Sequence, residues 1–215
     1  MTASPRWPKV QKGGIVAFQP PDPLPIVVAF QYNPDEVTRQ IAGRSASGGG
    51  RGDARRLNGP PDETLTFSVE IDAADQLEKP AQNGVTVANG LHPALAALEK
   101  LVYPAYSMVL ANEVIALAGG AFILAENAPM AFLVWGAHRV LPVRLESLSV
   151  REEAFDQSLN PIRARADLTL KVLTYRDLSI VDPGYFVYLA ALTQKQAMAA
   201  QETFGARSGL QALVP

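Results

Sequence analysis

The stretch Val143-Arg144-Leu145-Glu146-Ser147-Leu148-Ser149-Val150 decides how this chain folds, because its apolar residues change parity halfway along. Val143 and Leu145 share one parity, whereas Leu148 and Val150 share the other. On a flat strand the two pairs would face opposite ways. One extra residue near Glu146-Ser147 restores a single inward set, and a β-bulge of that kind bends the strand toward a curled sheet. The partner strand follows at once. Between Ile162 and Tyr175, the residues Ile162, Ala164, Ala166, Leu168, Leu170 and Val172 fall inward, and Arg163, Arg165, Asp167, Thr169 and Lys171 fall outward. That run is longer than most strands. The two runs are therefore expected to form a long curled hairpin, turning over residues 156–161.

Other strands surround this hairpin in the sequence. Thr64 to Ile71 alternates, with Leu65, Phe67, Val69 and Ile71 on one face. Ile15 to Phe18 and Ile26 to Tyr32 are β-branched and aromatic runs separated by Pro20-Pro21-Asp22-Pro23, and Ala131 to Trp135 is a short apolar core strand. Leu91, Leu95, Leu98 and Val102 form a helical stripe that ends before Pro104. Asp182-Pro183 is expected to cap a C-terminal helix reaching about Phe204. The fold class is α+β, mainly β. A β-rich domain covers 1–176, and a C-terminal helical extension covers 177–215.

Composition excludes several chemistries. With 215 residues the chain can bury a full core, and 48% hydrophobic against 19% charged residues is ordinary for a globular domain. It has no cysteine and two histidines, which removes disulfides, thiolate metal sites and cysteine nucleophiles. His92 and His138 lack a neighbouring acid or hydroxyl at motif spacing. Glu152 and Glu153 are adjacent and would point apart on a strand. Gly48-Gly49-Gly50-Arg51-Gly52 lacks the Lys-Ser/Thr ending of a phosphate loop. No enzyme, cofactor or metal is expected, and the chain is expected to be cytoplasmic.

Charge is uneven. Residues 1–60 carry eight basic side chains against four acidic ones, net +4, and the remainder is net −6. A basic end and an acidic end favour contact with further copies or a stacked neighbour. The segment 43–61 is rich in glycine and arginine and is expected to be a mobile loop. Its Arg44, Arg51, Arg55 and Arg56 are candidate contacts, and with no aromatic residue among them to stack a base, nucleic acid is disfavoured. The apolar insertion 109–128, with Ile115, Leu117 and Phe122, could be core, a lipid-touching loop or a subunit contact. Tyr185, Tyr188 and Leu192 on the last helix are candidate anchors for a neighbour.

Four segments carry a resemblance. Phe30-Gln31-Tyr32-Asn33-Pro34-Asp35-Glu36-Val37 resembles the F-x-F/Y-N-P-x-E opening of tube-associated proteins of contractile injection systems, the phage-tail-like machines of bacteria. The strand Thr64–Ile71 followed by Asp72 is similar to that family's next element, and Phe132-Leu133-Val134-Trp135-Gly136 to its F-x-W-G strand. Leu145–Val150, followed by Phe155-Asp156-Gln157-Ser158-Leu159-Asn160-Pro161-Ile162-Arg163-Ala164, resembles its hairpin signature. The resemblance covers about Gly14 to Tyr175. It implies a tail-tube-like β-barrel or sandwich with one flanking helix, in which Asn33, Pro34, Trp135, Gly136, Phe155, Asn160, Pro161 and Arg163 have scaffold roles. It also implies a six-copy ring that adapts the inner tube to the spike and baseplate, with a tube subunit or tube cap as alternatives. Family members often continue into a peptidoglycan-binding lysin motif, but here a helix follows instead. A carbohydrate-binding module, with Trp135 or the 185–188 tyrosines stacking sugars, is the alternative of another class.

Overall fold

The computed structural model describes residues 11–45, 55–120 and 126–211, and side chains as far as Glu202. Seven strands pair antiparallel in one sheet: β1 (Gly14–Phe18), β2 (Ile26–Ala29), β3 (Thr38–Ala42), β4 (Asp62–Asp72), β5 (Met130–Val134), β6 (Val140–Phe155) and β7 (Pro161–Val172). Their order across the sheet is β2-β1-β5-β6-β7-β4-β3. Among the described residues, four α-helices lie between β4 and β5: α1 (Ala74–Leu77), α2 (Gly84–Asn89), α3 (His92–Glu99) and α4 (Tyr106–Leu117). The helix α5 (Pro183–Gln211) comes last. The chain is α+β and mainly β, as its strand patterns predict. The expectation of one flanking helix needs correction, because Gly90 ends α2 at φ +55° and Pro104 separates α3 from α4.

The parity change is a bulge. Leu145 faces Leu170 and Ser147 faces Thr169, which leaves Glu146 as the extra residue. Leu141, Val143 and Leu145 are buried before it, and Leu148 and Val150 pack against the same core after it. Opposite them β7 buries Ala164, Ala166, Leu168, Leu170 and Val172, and β4 buries Leu65, Phe67 and Val69. Each fully buried Leu or Val contributes about 1.5–3 kcal/mol from water exclusion.

The sheet curls onto itself. Phe30, just past edge strand β2, packs edge-on against Phe67 of β4 with ring centroids 5.6 Å apart, although four strands separate β2 from β4 in the hydrogen-bonded order. The barrel-or-sandwich alternative thus resolves as a single curled sheet. At its seam, Val28 of β2, Val69 of β4 and Ala94 and Ala97 of α3 line an apolar pocket of about 120 Å³. β3 extends the sheet from the first half of β4, pairing Thr38–Ala42 with Asp62–Thr66.

The start of α5 packs on the core through Tyr188, Leu189, Ala191 and Leu192, and from Gln196 to Glu202 every residue is exposed. Asp182 stands just before Pro183, the first residue of α5, as expected, and its carbonyl accepts the Tyr185 N–H (3.0 Å). Its carboxylate accepts the Ser179 N–H (2.8 Å) and closes the turn before the helix. Among the described residues no helix is long and apolar enough to cross a membrane.

Candidate functional site

Two constellations gather most of the residues that carry the resemblance. In the first, Asn33 pairs with the chain entering β1: its Oδ1 accepts the Gly13 N–H (2.9 Å) and its Nδ2 donates to the Gln11 carbonyl (2.9 Å). The Gly13 carbonyl accepts the Phe30 N–H (2.9 Å). A side chain at Gly13 would press on the rings of Phe30 and Trp135, each 3.1 Å from where its Cβ would stand. The Trp135 backbone N–H donates to the Arg139 carbonyl (2.7 Å) across a turn that holds Gly136 at φ +72°. The rings of Phe30, Phe67 and Trp135 form a triangle with centroid separations of 5.6, 6.1 and 6.0 Å. Three of the four resembling segments therefore meet in one aromatic contact.

The second constellation is the tip of the β6–β7 hairpin. The Asp156 carboxylate accepts the N–H groups of Ser158 (2.7 Å) and Asn160 (2.8 Å), and the Asn160 side-chain amide (2.8 Å). These donors, the Asn160 amide foremost, hold Asp156 below the usual carboxylate range. The tip then docks on the helices. The Pro161 carbonyl accepts the Leu91 N–H (2.9 Å), and the Ile162 carbonyl accepts that of Ala73 (2.9 Å). Arg163 grips Asp72 through Nε (2.9 Å) and Nη2 (2.8 Å), while the other Asp72 oxygen accepts the Ala74 N–H (2.7 Å). The Ala74 N–H and then Arg163 hold the Asp72 carboxyl low against the opposing effect of its partial burial. Phe155 pairs with Pro161 at the base of the tip and stays half exposed. Pro34 is half-buried beside the turn after β2.

The candidate contacts are placed less uniformly. Arg44 forks onto Asp62 inside the β3–β4 ribbon, which raises its pKa and commits it within the chain. Arg55 and Arg56 are exposed, while Arg51 and Phe122 lie outside the described residues. On α4, Ile115 is half-buried and Leu117 is exposed. Tyr188 is only 8% exposed and packs against Tyr175, ring centroids 6.0 Å apart. Burial, and then the nearby Glu63 carboxylate, push the Tyr188 hydroxyl up. The expectation that Tyr188 anchors a neighbour is therefore corrected, because it is buried in this chain's own core; Leu192 and Tyr185 are half-buried, and among the described residues of α5 the aromatic Phe186 is exposed. Lys195 reaches Glu63 (2.9 Å) on the buried face of β4, with Arg39 also near (3.6 Å), and so pins α5 to the sheet.

One surface escapes a sequence reading, and a second is legible only in part, through the candidate contact Leu117. A groove of about 620 Å³ runs between the 32–38 turn and the β4–β7 face, lined by Asp35, Glu36, Glu70, Asp167 and the lone cation Arg165 among others. Its acids come from three separate segments, so no local motif marks them. Among the described residues no group of three or more His, Asp or Glu is placed to hold a metal ion. The other surface is the outer face of α4, where Tyr106, Leu110 and Val114 join Leu117. Their helical spacing is present in the sequence, but apolar residues on the opposite face of the helix hide it. No protein-family model matches the chain, and no curated protein matches it.

Proposed function

We propose that this chain is a non-enzymatic structural component of a contractile injection particle, adapting the inner tube to the spike and baseplate as one subunit of a six-copy ring. The observation that supports this reading is the work of the resembling residues. Phe30, Asn33, Trp135, Asp156, Asn160 and Arg163 make internal contacts that set the curl of the sheet and the seat of its long hairpin. A part that works by shape needs its signature residues in those places. Its partners are further copies of itself, the tube or tube-initiating proteins, and the spike or hub. The exposed α4, the distal part of α5 and the basic β3–β4 ribbon supply contact surfaces.

A carbohydrate-binding role is less well supported, because Trp135 packs with Phe30 and Phe67 and Tyr188 is buried, leaving neither as an open stacking platform. Electron cryo-microscopy of purified particles tests the proposal. Density for the chain in a few copies at the baseplate end of the tube is expected. Hundreds of copies along the tube would make it a tube subunit, a position at the far end would make it a cap, and absence from particles would overturn the reading.

A further inference from the structure

The pairing of β4 has a gap. On one side β7 pairs with it without a break from Thr64 to Asp72. On the other side β3 pairs only from Asp62 to Thr66, and among the described residues no strand continues along Phe67–Asp72. The two edges of a strand bond through alternate residues. Ala73 donates its N–H toward β7, to the Ile162 carbonyl, whereas Asp72 donates away from β7, to Gln31 Oε1 (2.9 Å). Ser68 and Glu70 share the parity of Asp72, so their N–H and C=O groups face the gap. Gln31 closes the gap at one end, and the Thr38–Thr66 pair closes it at the other.

The groove of about 620 Å³ lies over this gap, since Thr66, Ser68 and Glu70 line one side of it and the 32–38 turn lines the other. From Thr66 to Glu70 the strand runs about 13 Å, the reach of about five extended residues. The free backbone groups of Ser68 and Glu70 call for an extended main chain, which would bond to them as a short added strand. The side chains around them call for charge. Asp35 and Glu36 stand on the turn, Glu70 and Asp167 on the sheet, and among the described lining residues Arg165 is the one cation. Arg165 lies 3.8 Å from Glu70 and 3.9 Å from Asp167, and Asp167 also accepts the Ser68 hydroxyl. Four carboxylates against one guanidinium leave this lining at −3. Nucleic acid and anionic lipid are repelled by such a surface, and Lys and Arg are attracted. In a strand added antiparallel, in line with β3, the residues opposite Ser68 and Glu70 turn their backbone groups to β4 and their side chains to the same face. Those alternate residues would therefore carry both the main-chain bonds and the positive charge.

We propose that the gap beside β4 takes up an extended segment of a partner protein with Lys or Arg at alternate positions, added to the sheet at Ser68 and Glu70. The main-chain bonds give the contact its direction, and the acids of the groove select the sequence. Because the acids are exposed, the attraction weakens as salt is raised. This inference goes beyond the assembly reading and does not depend on it.

The probe is the blocked peptide acetyl-Thr-Lys-Val-Lys-Thr-Lys-amide, added to the full chain and followed by amide hydrogen exchange. In the free chain the Ser68 and Glu70 amides should exchange quickly. Saturating peptide should slow both by at least about tenfold. The Phe67 and Val69 amides, which face β7, should not change. Methylating the backbone N–H groups of the peptide's lysines should weaken binding by at least about tenfold, and Glu in place of Lys should abolish it. Asp35→Lys with Glu36→Lys, both at exposed positions and checked for native circular dichroism, should weaken it by about tenfold. Three results would overturn the proposal. The first is no binding of the lysine peptide even at millimolar concentration. The second is binding that leaves the Ser68 and Glu70 amides unprotected, which is charge attraction without an added strand. The third is slow exchange of both amides in the free chain, which would mean that the chain's own residues already fill the gap.

Discussion

The tip of the β6–β7 hairpin and the helix α4 differ in where their side chains find partners. At the tip, Asp156, Asn160 and Arg163 are satisfied inside the chain, and the tip backbone bonds to Leu91 and Ala73. On α4, Tyr106, Leu110, Val114 and Leu117 present apolar surface to solvent. The polar residues of the hairpin tip therefore find their partners inside the body, whereas the apolar side chains on the outer face of α4 do not. The difference is physical. A turn with many polar groups near a core must pair them internally, because an unpaired buried donor or acceptor costs about 1–3 kcal/mol. Apolar surface pays no such local penalty and can wait for a partner.

The comparison breaks most visibly if its internal side is not internal. Phe67→Ala removes one corner of the aromatic triangle from a position that is almost fully buried. It should destabilise the chain by about 3–5 kcal/mol in denaturant unfolding. A loss under 1 kcal/mol would mean that the sheet does not close through these rings.

Gly90→Ala sharpens the comparison at the hairpin tip. Gly90 sits at φ +55°, where side chains are strained, and a Cβ there would lie 2.5 Å from the Pro161 carbonyl oxygen. The expected cost is about 2–3 kcal/mol, seen as a lower denaturation midpoint with an unchanged slope. An unaffected midpoint would show that the tip is not seated on α2.

Much of this body is legible in the sequence. The parity change at 145–148 locates the bulge at Glu146, because only an inserted residue lets Val143, Leu145, Leu148 and Val150 face one core. β3 is not legible. Thr38–Ala42 is exposed along its whole length, so no apolar alternation marks it, and it is a strand because β4 offers it an edge. The aromatic triangle escapes for another reason. Alternation tells which way Phe67 points, but not that Phe30 and Trp135, far off in sequence, arrive at the same place. On α5 the apolar residues spread over more than one stripe, so spacing alone could not say that Tyr188 turns in and Phe186 turns out. The α4 face beyond Leu117 is hidden for the same reason.

The Asp156 turn gives a smaller, pH-dependent effect. Its folded-state pKa is depressed by the Asn160 and Ser158 donors. Its contribution is therefore complete above the unfolded carboxylate value of about 4 and is lost as pH falls through the lower folded value. Asp156→Asn should lower the melting temperature at pH 7, and the two proteins should converge as the pH is taken below 4. Parallel curves across that range would show that the carboxylate is not held by its loop.

The smallest effect on stability belongs to α4. Leu117 is the last residue of the helix and almost wholly exposed. Leu117→Ser should shift the unfolding free energy by no more than about 0.5 kcal/mol, measured at a concentration low enough to keep the chain dissociated. The contrast with Phe67→Ala carries the information, since both changes remove a large apolar side chain. If Leu117→Ser instead cost several kcal/mol in the dissociated chain, its side chain would have to be packed within the same molecule. The outer face of α4 would then be part of the core, and the distinction between a finished hairpin tip and an unfinished helix would disappear. A near-zero cost leaves that face with nothing to lose by being exposed and a full apolar contribution to gain on association, which is the thermodynamic condition for a surface built to be covered.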